Sequence, residues 1–239
     1  MLSSDERRGQ EEGFAEGISR KRILSLSDVI FGLALSIGAL TLIGHQPSTT
    51  QQFVFSLGQY GFSFLILVSV WGEYSRVTSV LPTESGALVQ LNIVLLFIVS
   101  VEPYLFNELF ATSGGLLQSV SGVFGIDLAL MYSILAYFSD TIATEARHLV
   151  PSSSLRRYRF ARNRDFLVAL IFAASVVPYL GQTVAVSFTS GGITTDWSIR
   201  DIMWFVALLI GLSSRVLRLL TGSEETLSKQ EDRKEAARS

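Results

Sequence analysis

Arg22-Ile23-Leu24-Ser25-Leu26-Ser27-Asp28-Val29-Ile30-Phe31-Gly32-Leu33-Ala34-Leu35-Ser36-Ile37-Gly38-Ala39-Leu40 is an apolar run that opens on a cation and carries one carboxylate just inside it. At 100° per residue Leu33, Ile37 and Leu40 fall on one narrow stripe of branched side chains. Gly32, Ser36 and Ala39 form a second stripe of small residues, the kind that lets another helix approach closely. An intramembrane carboxylate is costly unless it meets a cation, a donor or water. Arg22 is six residues from Asp28, about 120° away around the helix axis, and is a poor partner within the same helix. The partners expected for Asp28 therefore come from other spans: Trp71 and Tyr74 at the end of the second, Arg76 after it, and Asn92 opening the third.

The rest of the chain extends this reading. Its 239 residues are 49% hydrophobic with a mean hydropathy of +0.41, too apolar for an ordinary soluble domain. Of its 19 Lys/Arg and 21 Asp/Glu side chains, ten lie in residues 1–22 and nine in residues 222–239. A hydrocarbon core of roughly 30 Å needs about 20 mostly apolar residues per helix. Six stretches meet that need: 24–43, 53–72, 86–106, 122–143, 166–188 and 202–220. Turn chemistry separates them at 44–47, 81–83, 113–115, 151–154 and 190–192. The expected organisation is a polar N-terminal segment over 1–22, a six-span domain over 23–220 and a polar tail over 221–239. No separate soluble domain fits.

Cytoplasmic loops hold the excess of Lys and Arg. The N-terminal segment, the second and fourth connectors, and the end of the last span with its tail hold every basic residue but Arg200. Both termini are expected in the cytoplasm, in agreement with an even span count. The first apolar stretch is read as a span and not as a cleaved leader, because Ser27 and Asp28 interrupt it and a long segment rich in both acidic and basic residues precedes it.

Little enzyme chemistry survives the composition. There is no cysteine, which excludes a thiolate zinc site or a cysteine nucleophile, and the two histidines, His45 and His148, fall near connectors on opposite sides. Gly211-Leu212-Ser213-Ser214 has no histidine base beside it and is no nucleophile elbow. Neither a nucleotide-binding nor a nucleic-acid-binding signal is present, and no cofactor is expected. Asp127 and Asp140 lie near opposite ends of the fourth span, where they are expected to reach toward water. Glu102, just before Pro103 inside the third span, is a candidate for an outer vestibule that concentrates cations. With Asp28 it also supports a second reading, a proton-coupled transporter of cations or small solutes.

Arg22-x-x-x-Leu26-Ser27-Asp28 ahead of an apolar span resembles the Arg-x-x-x-Phe-Ser-Asp signature of the transmembrane protein 175 family, potassium-permeable channels. Trp71 closing the second span, Leu91-Asn92 leading the third and Pro103 near its far end fit the same pattern. Two positions depart from it: Leu26 stands for the phenylalanine, and Tyr74 for a histidine. The resemblance implies an all-α membrane protein of six helices per subunit, assembled as a homotetramer around a central pore lined by the first helix. It places an apolar constriction at Leu33, Ile37 and Leu40, with K+ as the permeant ion and a weak preference over Na+. Arg22, Leu26, Ser27 and Asp28 are then structural elements of the pore helix, supported by Trp71, Tyr74 and Asn92.

Overall fold

The computed structural model describes residues 25–40, 49–81, 86–145, 152–190 and 193–213. Arg22, both polar tails, the two histidines, the expected turns at 44–47, 82–83 and 191–192, and the ends of the first and last expected spans lie outside these residues. Seven helices and one hairpin are described. They are α1 (Ser25–Leu40), α2 (Thr50–Thr78), α3 (Gly86–Ala111), α4 (Gly114–Thr144), α5 (Ser152–Ser175), the short α6 (Pro178–Gln182), strands β1 (Val184–Ser190) and β2 (Ile193–Ser198), and α7 (199–213). Among the described residues, α2, α3 and α4 are long and apolar enough to cross a membrane; α1 is apolar but shorter over its described length.

Local chemistry sets the helix ends. Thr49 accepts a hydrogen bond from the Gln52 amide at 3.2 Å and caps α2, whose last turn carries Arg76 against the carbonyl end of the helix. Between α3 and α4 only Thr112 and Ser113 intervene, so the two helices fold back as an antiparallel pair. Gly114, at φ +64°, supplies the left-handed backbone that this tight reversal needs. Ser198 and Asp201 cap α7 reciprocally: the Asp201 carboxylate accepts from the Ser198 amide at 2.8 Å, and Ser198 Oγ accepts from the Asp201 amide at 3.3 Å.

Helix α4 occupies the middle, packed on α5, α3 and α2. Its Leu128, Met131, Leu135, Phe138 and Ile142 are almost fully enclosed. Elsewhere large apolar side chains such as Phe97, Phe166 and Leu170 lie bare on the outside. This is how helices meet lipid, where no hydrophobic force presses them together and polar contacts and close packing must hold them. Tyr132 of α4 bonds Ser69 of α2 at 3.2 Å, and Gly211 of α7 lies so close that a Cβ there would sit 3.1 Å from the Tyr132 hydroxyl.

The expected fifth span, 166–188, is corrected. Helix α5 starts 14 residues earlier, at Ser152, and ends at Ser175; residues 184–190 of that apolar run are a strand. Pro178 forces Val177 out of the helical region, at ψ 121°, and the β-branched Val184 and Val186 then favour extended backbone. β1 and β2 pair antiparallel with an irregularity between Val184 and Val186. A two-stranded sheet has open edges that hydrocarbon cannot satisfy, so the hairpin belongs outside the membrane core. Arg200, which the charge count set apart from all other basic residues, anchors this end. Its guanidinium donates to the Ser175 carbonyl at 2.8 Å and to Ser121 of α4, while Trp204 donates to Ser175 Oγ at 2.8 Å.

The opposite end of the bundle is held by charge. Glu73 of α2 pairs with Arg76 on its own helix and with Arg164 of α5 at 2.8 Å, and Arg164 also meets Asp165 at 2.6 Å. Arg164, expected in an exposed basic connector, is thus buried within a helix, and Arg76 stacks over the Tyr158 ring. Removing one partner of such a cluster leaves a buried charge uncompensated. Arg164→Ala is expected to cost about 3–5 kcal/mol of stability. Thermal unfolding in detergent checks this: a midpoint unchanged from wild type refutes a structural role for the cluster.

Candidate functional site: the first helix

Helix α1 has two unlike sides. Ser27, Phe31, Ala34 and Gly38 recur at helical spacing and are buried against the bundle, with Phe31 1% exposed. The stripe of Leu33, Ile37 and Leu40 lies roughly 130° further round the axis, and these residues remain 56%, 47% and 60% exposed. The packing face is therefore not the Gly32-Ser36-Ala39 stripe expected to admit a neighbour. Gly32 and Ser36 are exposed, Ala39 is half-buried, and Ser36 turns its hydroxyl back to the Gly32 carbonyl at 2.8 Å. Phe31 and Gly38 take that place: Phe31 packs its ring 5.5 Å from Tyr74, and Gly38 brings the backbone against the Tyr60 ring.

Two hydrogen bonds hold the start of α1 to α2. Ser27 and Tyr74 share one at 2.6 Å, fully buried, and Trp71 Nε1 donates to Asp28 Oδ1 at 3.1 Å on the exposed side. Asn92 of α3 sits beside the Tyr74 hydroxyl. The structure thus brings Ser27, Asp28, Trp71, Tyr74 and Asn92 to one place, while Arg76 pairs with Glu73. Tyr74, one of the two departures from the signature, is a hydroxyl partner to Ser27; Leu26, the other, faces outward. Arg22 is outside the described residues.

Glu102 and Asp127 are buried, whereas Asp140 keeps 41% of its side chain exposed. Glu102 is fully enclosed within the chain, 0% exposed, with Ser63 Oγ at 3.0 and 3.4 Å from its two carboxyl oxygens. Asp127 is buried with one oxygen unpartnered, and does not reach water. Asp140 pairs with Arg162 at 2.7 Å. The buried cluster of Glu73, Arg164 and Asp165 was missed in the sequence. The signal available was the pair Arg164-Asp165 set immediately ahead of the apolar run that begins at Phe166. Among the described residues no group of three or more His, Cys, Asp or Glu side chains is placed to hold a metal ion.

The bundle is a helical membrane protein whose first helix is tied at one end by polar bonds and left bare along an apolar stripe. Residues 22–103 match the family model described as endosomal/lysosomal potassium channel TMEM175. That match begins at Arg22 and ends at Pro103, spanning α1, α2 and most of α3. The fold is similar to the crystal structure of a lysosomal potassium-selective channel TMEM175 homolog from Chamaesiphon minutus. The TM-score is 0.53 and the sequence identity 16%, with 82% of this chain and 98% of that chain covered. No curated protein sequence matches the chain. The resemblance to the transmembrane protein 175 family carried by Arg22, Leu26, Ser27 and Asp28 therefore holds in sequence over the first three helices and in fold over most of the chain.

If the Ser27–Tyr74 bond is what seats α1, the two groups must be energetically coupled. Tyr74→Phe is expected to cost about 1–2 kcal/mol, because it removes a buried hydroxyl that bonds Ser27 and lies beside Asn92. Adding Ser27→Ala should then cost little more, and a double-mutant cycle on unfolding midpoints reads the coupling. Strictly additive losses would dissociate the bond from the seating of α1.

Proposed function

We propose that the chain is one subunit of a potassium-permeable channel whose pore is lined by α1. The observation that carries this reading is the bare stripe of Leu33, Ile37 and Leu40 on a helix inside the segment that matches the TMEM175 family model. The similarity in fold to a potassium-selective channel homolog favours the same ion.

One α1 cannot enclose a pathway, so several copies meet around a symmetry axis, in this reading as a homotetramer. The three stripe residues are spaced a turn apart and span about 10 Å along the axis. Rings of these side chains make a constriction with no ligand for a cation. Water leaves such a constriction readily, which gates it, and an ion passes only by shedding part of its hydration shell. K+ holds water less tightly than Na+, so a weak preference for K+ arises without coordinating groups. The bonds from Trp71 and Tyr74 hold the start of α1 against α2 and so set where the rings stand; Asp28 and Ser27 position the helix and bind no ion.

The layout in this proposal is six spans over 23–220, both termini in the cytoplasm of a prokaryotic cell membrane, and polar tails over 1–22 and 221–239. The basic residues at the α2 and α5 end support that orientation. A transporter that uses Glu102 receives no support from a carboxyl enclosed against Ser63.

Current across a planar bilayer with K+ facing Na+ tests the reading. Wild type is expected to give a K+-favouring reversal potential, and Leu33→Asn to bring it toward zero by hydrating the constriction. Because the chain has no cysteine, Leu33→Cys and Ile37→Cys offer a second readout. A water-soluble thiol reagent should block both, and should leave Leu130→Cys, on the bare face of α4, conducting. Folded protein that passes no current under any gradient, or block at Leu130 alone, rejects the proposal.

A further inference from the structure

Helix α5 carries a surface that neither the fold nor the channel reading uses. Its outward positions, Arg156, Arg159, Phe160, Asn163, Phe166 and Leu170, recur every three or four residues and are all exposed, so they form one continuous stripe. Along it the chemistry changes from basic through aromatic to apolar. Such a gradient is what a helix shows where it leaves the hydrocarbon and enters the headgroup layer, here from Phe160 back toward Arg156. The rise between those two is about 6 Å. The headgroup layer is roughly 5–8 Å deep on each side, so the arginines of the stripe lie within it.

The arginines on this helix divide into two kinds. Arg162 pairs with Asp140, and Arg164 with Asp165 and Glu73. Arg156, Arg157 and Arg159 are exposed and, among the described residues, pair with no carboxylate. Arg156 and Arg159 are about 60° apart on the stripe, whereas Arg157 points about 160° away from Arg159; the two neighbouring guanidinium groups repel one another unless an anion lies between them. Planar N–H forks match phosphate oxygens in pairs, and Phe160 beside them offers a ring at the depth of the acyl-chain boundary.

We infer that Arg156 and Arg159, with Phe160, form a binding site for the phosphate headgroup of an anionic phospholipid at the membrane face where α5 begins. The site depends on the membrane-spanning reading of the bundle and not on ion conduction, so a non-conducting protein still tests it.

The experiment uses the full chain in nanodiscs of equal phosphatidylglycerol and phosphatidylcholine, with retained lipid counted by native mass spectrometry after transfer to neutral detergent. Wild type is expected to retain phosphatidylglycerol preferentially, each Arg→Gln change at 156 or 159 to lower that preference roughly five-fold, and Arg157→Gln, off the stripe, to lower it far less. Arg162→Gln alters net charge equally but removes a paired cation, and should leave most of the preference intact. Excess soluble glycerol phosphate should not displace the lipid, since it lacks the acyl chains beside Phe160. If the double Gln variant at 156 and 159 fails to fold, the double Lys variant, which keeps the charge, is expected to retain much of the preference beside the single Gln variants. Equal retention of both lipids by wild type, or equal losses at Arg162 and Arg159, overturns the site in favour of none or of diffuse charge. A preference that emerges only when residues 222–239 are removed also overturns it, and assigns the arginines to the chain's own acidic tail.

Discussion

The buried hydroxyl pair of Ser27 and Tyr74 is the contact on which the arrangement of α1 depends. In lipid no hydrophobic force drives one apolar helix onto another, so position must come from close packing and from bonds between buried polar groups. Phe31 and Gly38 continue the same face toward Tyr74 and Tyr60, and Trp71 holds Asp28 from the side. With one side of the helix committed in this way, the Leu33 stripe has to face outward. Its exposure follows from the packing of the other side.

Helix α2 carries this arrangement to the rest of the bundle. Its Trp71 and Tyr74 hold α1, its Glu73 holds α5 through Arg164, its Ser69 meets α4 through Tyr132, and its Ser63 encloses Glu102 of α3. Each of these is a polar or charged group, and they lie between Ser63 and Tyr74 on a largely apolar helix. A displacement of α5 would therefore reach α1 through a single turn of α2, the one that holds Trp71, Glu73 and Tyr74. The other end is fixed separately by Arg200, whose several bonds tie α4, the end of α5 and the start of α7.

The sequence and the structure diverge where an apolar residue had more than one use. The run 166–188 satisfies a hydropathy window, yet Pro178 and the valines that follow turn its second half into a strand. Asp127 looked close enough to the end of its helix to reach water, but α4 continues eight residues beyond the expected boundary, back to Gly114, and the carboxyl is inside. Arg164 has the composition of a loop residue and the surroundings of a core one. In each case composition measures affinity for lipid or water in general, while the neighbour that decides the matter stands far away in sequence.

What the sequence determined by itself is what one helix can express alone: membrane character, the apolar runs that become α2, α3 and α4, the signature at Leu26, Ser27 and Asp28, and the angular separation of stripes on α1. Those properties follow from residue type and the 3.6-residue period, and need no partner. Only the tertiary structure decided which face of α1 is covered, that Tyr74 and Trp71 are what holds it, that Glu102 is sealed by Ser63, and that Arg164 closes a charge cluster. Those outcomes rest on contacts between residues 39 to 91 positions apart, and hydrogen-bonding capacity read along a chain does not say which of several possible partners will be within 3 Å.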